Sequence, residues 1–261
     1  MVLKTIASIL VVGGLTACAS TYKADHLASD QWVSIFDGES LKGWAPKING
    51  QKLGEDPARI FRVENGELRV TYEDMEAFDN AFGHLFFEEE VSDYRLRFEY
   101  RFSETQKSSG PKWAFMNSGV MYHAQSPTSM REDQAFPISI EAQLLGASAE
   151  TPGRTTANIC TPGTHVFLEG ELTKQHCIAS QMLAAPAGTW VSFELEVQGS
   201  RLTRLLIDGT EAFRLTEPQF DTTDPDVVRL ELEGPVAKGY FALQAESHPV
   251  AFRNIELMRL D

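Results

Sequence analysis

The chain has 261 residues, 43% of them hydrophobic, and a formal net charge of −14 at pH 7. An acidic surface repels phosphate backbones, so nucleic acid is excluded as a partner class, and no run of like charges offers an interaction tail. The apolar content suffices for one sizeable core, and all-β sandwiches often reach this length as a single domain.

Residues 1–17 place Lys4 before an apolar run from Ile6 to Leu15 and then small residues. That is the pattern of a secretory signal peptide, too short to span a bilayer stably. Leu15-Thr16-Ala17-Cys18 resembles the lipobox of bacterial lipoproteins. The resemblance implies cleavage before Cys18 and lipid on its sulfur. Ser20 rather than Asp stands at the sorting position, which points to the outer membrane or periplasm, with the membrane met only through this N-terminal lipid anchor. Residues 18–30 read as a polar tether and residues 31–261 as one folded domain.

Strand signals dominate that domain. "RIFRVENGELRV" sets Asn65-Gly66 between two alternating runs, a hairpin signal because both turn positions want positive φ. In "YRLRFEYRF", Tyr94, Leu96, Phe98, Tyr100 and Phe102 face one way and the charged residues the other. In "NSGVMYH", Asn117 and His123 share one parity, Val120 and Tyr122 the other, and Gly119 permits close approach of a ligand or another chain segment. "PISIEAQLLG" puts Ile138, Ile140, Ala142 and Leu144 on one face and Glu141 and Gln143 on the other. "SFELEV" repeats the alternation, and "RLTRLLIDGTEAFRL" holds a second hairpin at Asp208-Gly209. "GYFALQAE" and "VAFRNIELMRL" read as the closing strands. No stretch sustains a helical period; 73–82 and 223–232 allow a short turn at most.

Many short strands with Gly, Pro and Asn punctuation predict an all-β sandwich of two antiparallel sheets. The segments 103–114, 124–136 and 146–188 read as long irregular loops, of the kind that lines a cleft. Apart from Cys18 the cysteines are Cys160 and Cys177. An even pair in an oxidising compartment predicts a disulfide, contributing about 3 kcal/mol in the chain-entropy model. Two free buried thiols are the alternative. A zinc site using the nearby His165 and His176 lacks a Cys-x-x-Cys spacing.

Several stretches, in order, resemble the bacterial 3-keto-disaccharide hydrolase domain family: "WVSIFDGESLKGW", "VENGELRV", "VSDYRLRFEYRF", "NSGVMYH", "ISIEAQLLG", "PAGTWVSFELEVQGSRLTRLLIDG" and "KGYFALQAESHPVAFRNIEL". The resemblance covers about residues 30–260. It implies a concanavalin-like jelly roll that cleaves glycosides whose sugar is oxidised at C3. Where the family often reads Leu-Gln-Asp-His-Gly, this chain has "LQAESHPV".

A C3 carbonyl acidifies the C2 proton, so a base removes it and the C1 substituent departs; water then adds. This needs a general base, a donor for the leaving group and something to hold the enolate oxygen. Glu141, His123 and His84 are the candidate acid–base groups. Gln143, Asn117, Gln244, Arg253, Lys112 and Trp113 are the candidate substrate contacts, with Arg253 for the enolate oxygen and the Trp113 ring for a sugar face. No cofactor is demanded. A divalent cation held by Glu141 and a His would polarise the ketone, but no acidic loop has EF-hand spacing. Two other readings stay open. One is a carbohydrate-binding jelly roll without turnover. The other is an ordinary glucanase-like hydrolase, which needs a second carboxylate facing Glu141; no fixed spacing supplies one.

Overall fold

The computed structural model describes residues 31–103 and 105–260. The expected signal peptide, Cys18 and the expected tether lie outside the described residues. In chain order the strands are β1 (Val33–Ser34), β2 (Trp44–Ile48), β3 (Phe61–Glu64), β4 (Glu67–Val70), β5 (Gly83–Phe87), β6 (Asp93–Phe102), β7 (Asn117–Ala124), β8 (Ile140–Leu145) and β9 (Asn158–Cys160). They continue with β10 (Thr164–Leu168), β11 (Glu171–Thr173), β12 (Cys177–Ile178), β13 (Val191–Gln198), β14 (Leu202–Ile207), β15 (Thr210–Phe220), β16 (Tyr240–Ala245) and β17 (Val250–Arg259). One short helix, α1 (Pro225–Arg229), is capped by the Asp224 carboxylate, which accepts from the Asp226 and Val227 amides.

These strands pair antiparallel. A ten-stranded sheet runs β11-β10-β15-β14-β13-β6-β17-β4-β3, with β1 also on β17, and a seven-stranded sheet runs β12-β9-β8-β7-β16-β5-β2. Their inner faces share one hydrophobic core, the arrangement of a jelly-roll sandwich.

Alternation builds the ten-stranded sheet directly. In β6 the five aromatic and aliphatic residues are all buried, each such side chain contributing about 1.5–3 kcal/mol. The charged residues of β6 take the outer face, where Arg95 pairs with Glu194, Arg97 with Glu256 and Arg101 with Glu67. Both predicted hairpins form, with φ of 55° and 78° at Asn65-Gly66 and 48° and 76° at Asp208-Gly209.

The seven-stranded sheet differs. Its central strands β5, β7, β8 and β16 are buried on nearly every residue, so both faces are covered. One face meets the core. The other lies beneath the segments that precede β7 and β8 and follow β8. There Met121, Ala124, Phe86 and Ala242 pack with Met130 of the 125–137 segment into a second, small apolar cluster.

The segment 146–188 is more ordered than its sequence suggests. It holds β9 to β12, four strands too short for alternation to reveal. Cys160 and Cys177 form a disulfide and sit opposite each other on β9 and β12. The bridge staples the edge strand to the sheet.

Candidate active site

Cross-strand register assembles a row of polar side chains on the outer face of the seven-stranded sheet. Lys47 on β2 lies opposite His84 on β5, which lies opposite Gln244 on β16. Gly119 on β7 lies opposite Gln143 on β8, and Gln143 opposite Asn158 on β9. Two residues along, Glu141 lies opposite Met121 on one side and Cys160 on the other. Period two puts Asn117 on this face too, and Glu246 directly follows β16 in phase with Gln244.

A cleft of about 420 Å³ opens over this surface. Glu141, Glu246, Asn117 and Gln143 line its polar part, Trp113 and Phe136 one wall, and Pro162, His176 and the Cys160–Cys177 bridge the other. Trp113 is 56% exposed, with its ring stacked 5.7 Å from that of Phe82, so one aromatic face remains open. Glu141 leans over Gly119: a Cβ at residue 119 would lie 2.7 Å from Glu141 Oε1. Only glycine leaves that space.

The two carboxylates are nearly sealed, Glu141 at 6% and Glu246 at 2% exposure. Burial raises the Glu141 carboxyl far above the ordinary carboxylate range, opposed in part by the Gln244 amide beside it. Burial also raises Glu246, and the neighbouring charge of Glu141 raises it further. The pair therefore holds at least one proton at neutral pH. Glu141 Oε1, Glu246 Oε2, Asn117 Oδ1 and Gln244 Oε1 are buried with no hydrogen-bond partner among the described residues. Such orphans are rare in folded chains, and four of them together make this surface the candidate site for a polar ligand. The Gln143 carbonyl accepts from Asn158 Nδ2 at 3.0 Å, which leaves its amide donors for the cleft.

A larger hollow of about 490 Å³ runs past Tyr72, Phe102 and Val250. Its Arg69 and Arg101 are both already paired with Glu67, and none of its lining residues carries an orphaned buried polar atom. The smaller cleft is the better site.

The structure gathers Glu141, Gln143, Asn117 and Trp113 at the cleft and sets Gln244 beneath it. It takes three candidates elsewhere. His123 should share the face of Asn117 by strict alternation. A bulge between β7 and β16, with His123 at φ 49°, advances the phase, so its Nε2 meets Gly199 O at 3.1 Å across the sandwich. Arg253 points away from the core, but β17 belongs to the other sheet. There it pairs with Glu99 at 2.9 Å and lies 4.0 Å over Trp190. Lys112 is exposed and does not line the cleft.

His84 is an intermediate case. It stands in the polar row, yet Phe136 packs edge-on at 5.8 Å and closes it off from the cleft. Burial, and then the Lys47 ammonium, lower its pKa to about 3, so the ring is neutral. Lys47 itself donates to Ile48 O and Glu132 O, fastening the covering segment. Among the described residues, no cluster of three or more His, Cys, Asp or Glu side chains has the geometry to hold a metal ion.

Sequence reasoning missed Glu246. The signal was present: Gln244 and Glu246 share a parity in "FALQAES". The next residue, Ser247, adopts φ 75° and is pinned by the Tyr72 hydroxyl, which accepts from its amide at 2.8 Å, and by Gln106 Nε2, which donates to its hydroxyl at 2.7 Å. The turn that ends the strand thereby fixes Glu246 at the rim of the sheet.

The raised carboxyls carry a stability cost with a definite sign. Above pH ~4 the unfolded chain gives up protons that the folded chain retains. The associated stability is fully present in acid and is lost as pH rises through the raised values, at on the order of 1.4 kcal/mol per pH unit for each retained proton. Glu246→Gln should therefore melt at a higher temperature than wild type at pH 8, with the gap closing near pH 4. Thermal melts across pH check this; a variant that melts lower at pH 8 contradicts the assigned direction.

Residues 31–258 match the 3-keto-alpha-glucoside-1,2-lyase-like domain family. Among curated proteins, none matches the chain. A solved candidate glycosyl hydrolase from Parabacteroides distasonis ATCC 8503 superposes with TM-score 0.54 at 16% identity, covering 88% of this chain and 94% of its own. A Bacillus subtilis protein with a galectin-like fold gives 0.51 at 12%, covering 84% and 90%. The Ca²⁺- and Man3GlcNAc-bound exoplasmic/lumenal domain of VIP36 gives 0.50 at 11%, covering 87% of each. At these identities the likeness establishes the fold, a galectin- and concanavalin-like jelly roll.

Proposed function

The chain belongs to the 3-keto-alpha-glucoside-1,2-lyase-like domain family, which places it among carbohydrate-acting proteins, and from that premise we propose that it cleaves the glycosidic bond of 3-keto-glycosides at the Glu141–Glu246 cleft. The carrying observation is the pair of buried carboxyls at the cleft, both raised by burial and Glu246 further by the charge of Glu141. An elimination needs a base and an acid together, and this pair supplies both.

In this reading the Glu141 carboxylate takes the C2 proton, and the C2–H electrons pass into an enolate with the C3 carbonyl. The Gln143 amide donates to that developing oxygen anion. The enolate then collapses to a C1=C2 double bond, the C1–O bond breaks, and the leaving oxygen takes the Glu246 proton. Water adds its hydroxyl to C1 and a proton to C2, so the net change is hydrolysis. The open face of Trp113 suits the C–H face of the sugar.

The test is direct. Purified protein incubated with a 3-keto-disaccharide should release the free sugars, and substrate deuterated at C2 should react more slowly. Saturable binding without product would make the chain a binding module instead. The carboxyl pair also suits an ordinary two-carboxylate glycosidase; that reading requires turnover of the unoxidised disaccharide. The lipobox-like Leu15-Thr16-Ala17-Cys18 supports a lipid-anchored location in the cell envelope, where a secreted glycan-cleaving enzyme meets its substrate.

A further inference from the structure

Gly119 leaves a gap in the polar row, and two glutamines flank it. On one side it lies opposite Gln143 of β8. On the other, the register that pairs Val120 with Leu243 sets it opposite Gln244 of β16. Glu141 fills the gap: its Oε1 and Cγ lie 2.7 and 2.9 Å from where a Cβ on Gly119 would be. The carboxyl of β8 thus reaches over β7 toward β16, a strand two spacings or about 9.5 Å away.

Gln244 meets it from that side. On β16, Phe241, Leu243 and Ala245 enter the main core, so Ala242, Gln244 and Glu246 take the outer face. Gln244 is fully buried and does not line the cleft, so it acts on a substrate only through a neighbour. Its Nε2 lies 3.7 Å from Met121 Sδ, a weak acceptor, and its Oε1 has no partner among the described residues. A buried amide so poorly satisfied is costly, and a methionine would fill the same place without that cost. What the amide does there is favour the charged form of the Glu141 carboxyl against burial.

The other groups around the pair do not do this. Glu246 Oε2 is buried with no partner among the described residues, and burial and the Glu141 charge both oppose its ionisation. Beyond Gln244 in the row, His84 is neutral, and the Lys47 ammonium donates to Ile48 O and Glu132 O. His176, on the opposite wall, is exposed. The two carboxyls are alike in burial; the amide is the difference between them.

We propose that Gln244 is a positioning residue that holds the Glu141 side chain across Gly119 as a carboxylate, making Glu141 the base and leaving Glu246 the acid. This deepens the function proposed above and rests on it. It accounts for two glutamates in one cleft taking unlike roles.

Gln244→Met keeps the length of the side chain and removes the donor. The experiment measures kcat/KM across pH on a 3-keto-disaccharide and on 4-nitrophenyl 3-keto-glucoside, with thermal melts of the same preparations. The expected result is an acid limb displaced upward by about one pH unit on both substrates, the effect of one hydrogen bond to a charged group. Both substrates need the base, so both lose about tenfold in kcat/KM below the limb. Gln244→Asn keeps an amide but draws it back from the carboxyl, and should move the limb the same way. An unmoved limb in a folded variant, with or without loss of rate, overturns the assignment and makes Gln244 a packing residue. Unfolding of both variants, seen in the melts, does the same. A loss confined to the disaccharide also overturns it, since the amide would then serve Glu246. Each of these outcomes leaves the parent reading standing, whereas turnover of neither substrate by wild type removes that reading and this inference together.

Discussion

Glu246→Gln is expected to cut kcat on a 3-keto-disaccharide by about 10²–10⁴-fold, the usual worth of a positioned general acid or base. The amide keeps the shape of the carboxyl and removes its exchangeable acid proton. Glu141→Gln should lose a similar factor, for a different reason: the base is gone. The two are separable by leaving group. A nitrophenolate departs without needing a proton, so Glu246→Gln should retain far more activity on an aryl substrate, 4-nitrophenyl 3-keto-glucoside, while Glu141→Gln should lose activity on both. The pH profile follows from the same assignment. Activity requires Glu141 ionised and Glu246 protonated, and burial raises both carboxyls. The acid limb of kcat/KM should thus lie above the ordinary carboxylate range, and an alkaline limb should appear with the disaccharide but not with the aryl substrate. Steady-state kinetics across pH measure all of this. Full activity in Glu141→Gln would remove the residue from the chemistry.

Much of this architecture was legible because it obeys period two. Strand β6 announces its buried face in five consecutive alternations, and Asn65-Gly66 and Asp208-Gly209 announce their turns. Glu141 and Gln143 stood out as polar groups on a strand otherwise apolar, and they do line the cleft. What failed is what alternation cannot express. The bulge at His123 inverts the phase for one residue, and a histidine at positive φ leaves no sequence mark. Arg253 does face outward, but a sandwich has two outer faces and local pattern does not say which sheet a strand joins. The short strands β9 to β12 carry too few residues for any period. Lys47 drew no attention because a lone lysine normally marks solvent; here its ammonium is buried and fastens the segment over His84.

Gly119→Ala should remove most activity while leaving the fold nearly as stable as before. Gly119 has no positive φ to defend, and alanine suits a buried strand better than glycine does. The conflict is local. The added methyl would lie 2.7 Å from Glu141 Oε1 and 2.9 Å from Glu141 Cγ, and only 3.2 Å from Ala142 O. The backbone contact is tight but tolerable; the side-chain contacts are not. The flexible group must yield, so the Glu141 carboxylate swings away from its place over β7. Displacing a reacting group by about 1 Å costs on the order of 10²-fold in rate. A structural glycine would behave otherwise, with the melting temperature falling and activity following it. The two are told apart by measuring kcat and the thermal midpoint on the same preparation. Near-wild-type melting with a hundredfold loss of kcat supports the assignment of Glu141 as the base. Wild-type kcat in a well-folded Gly119→Ala protein would show that the carboxylate need not sit where it is drawn, and the mechanism would fall with it.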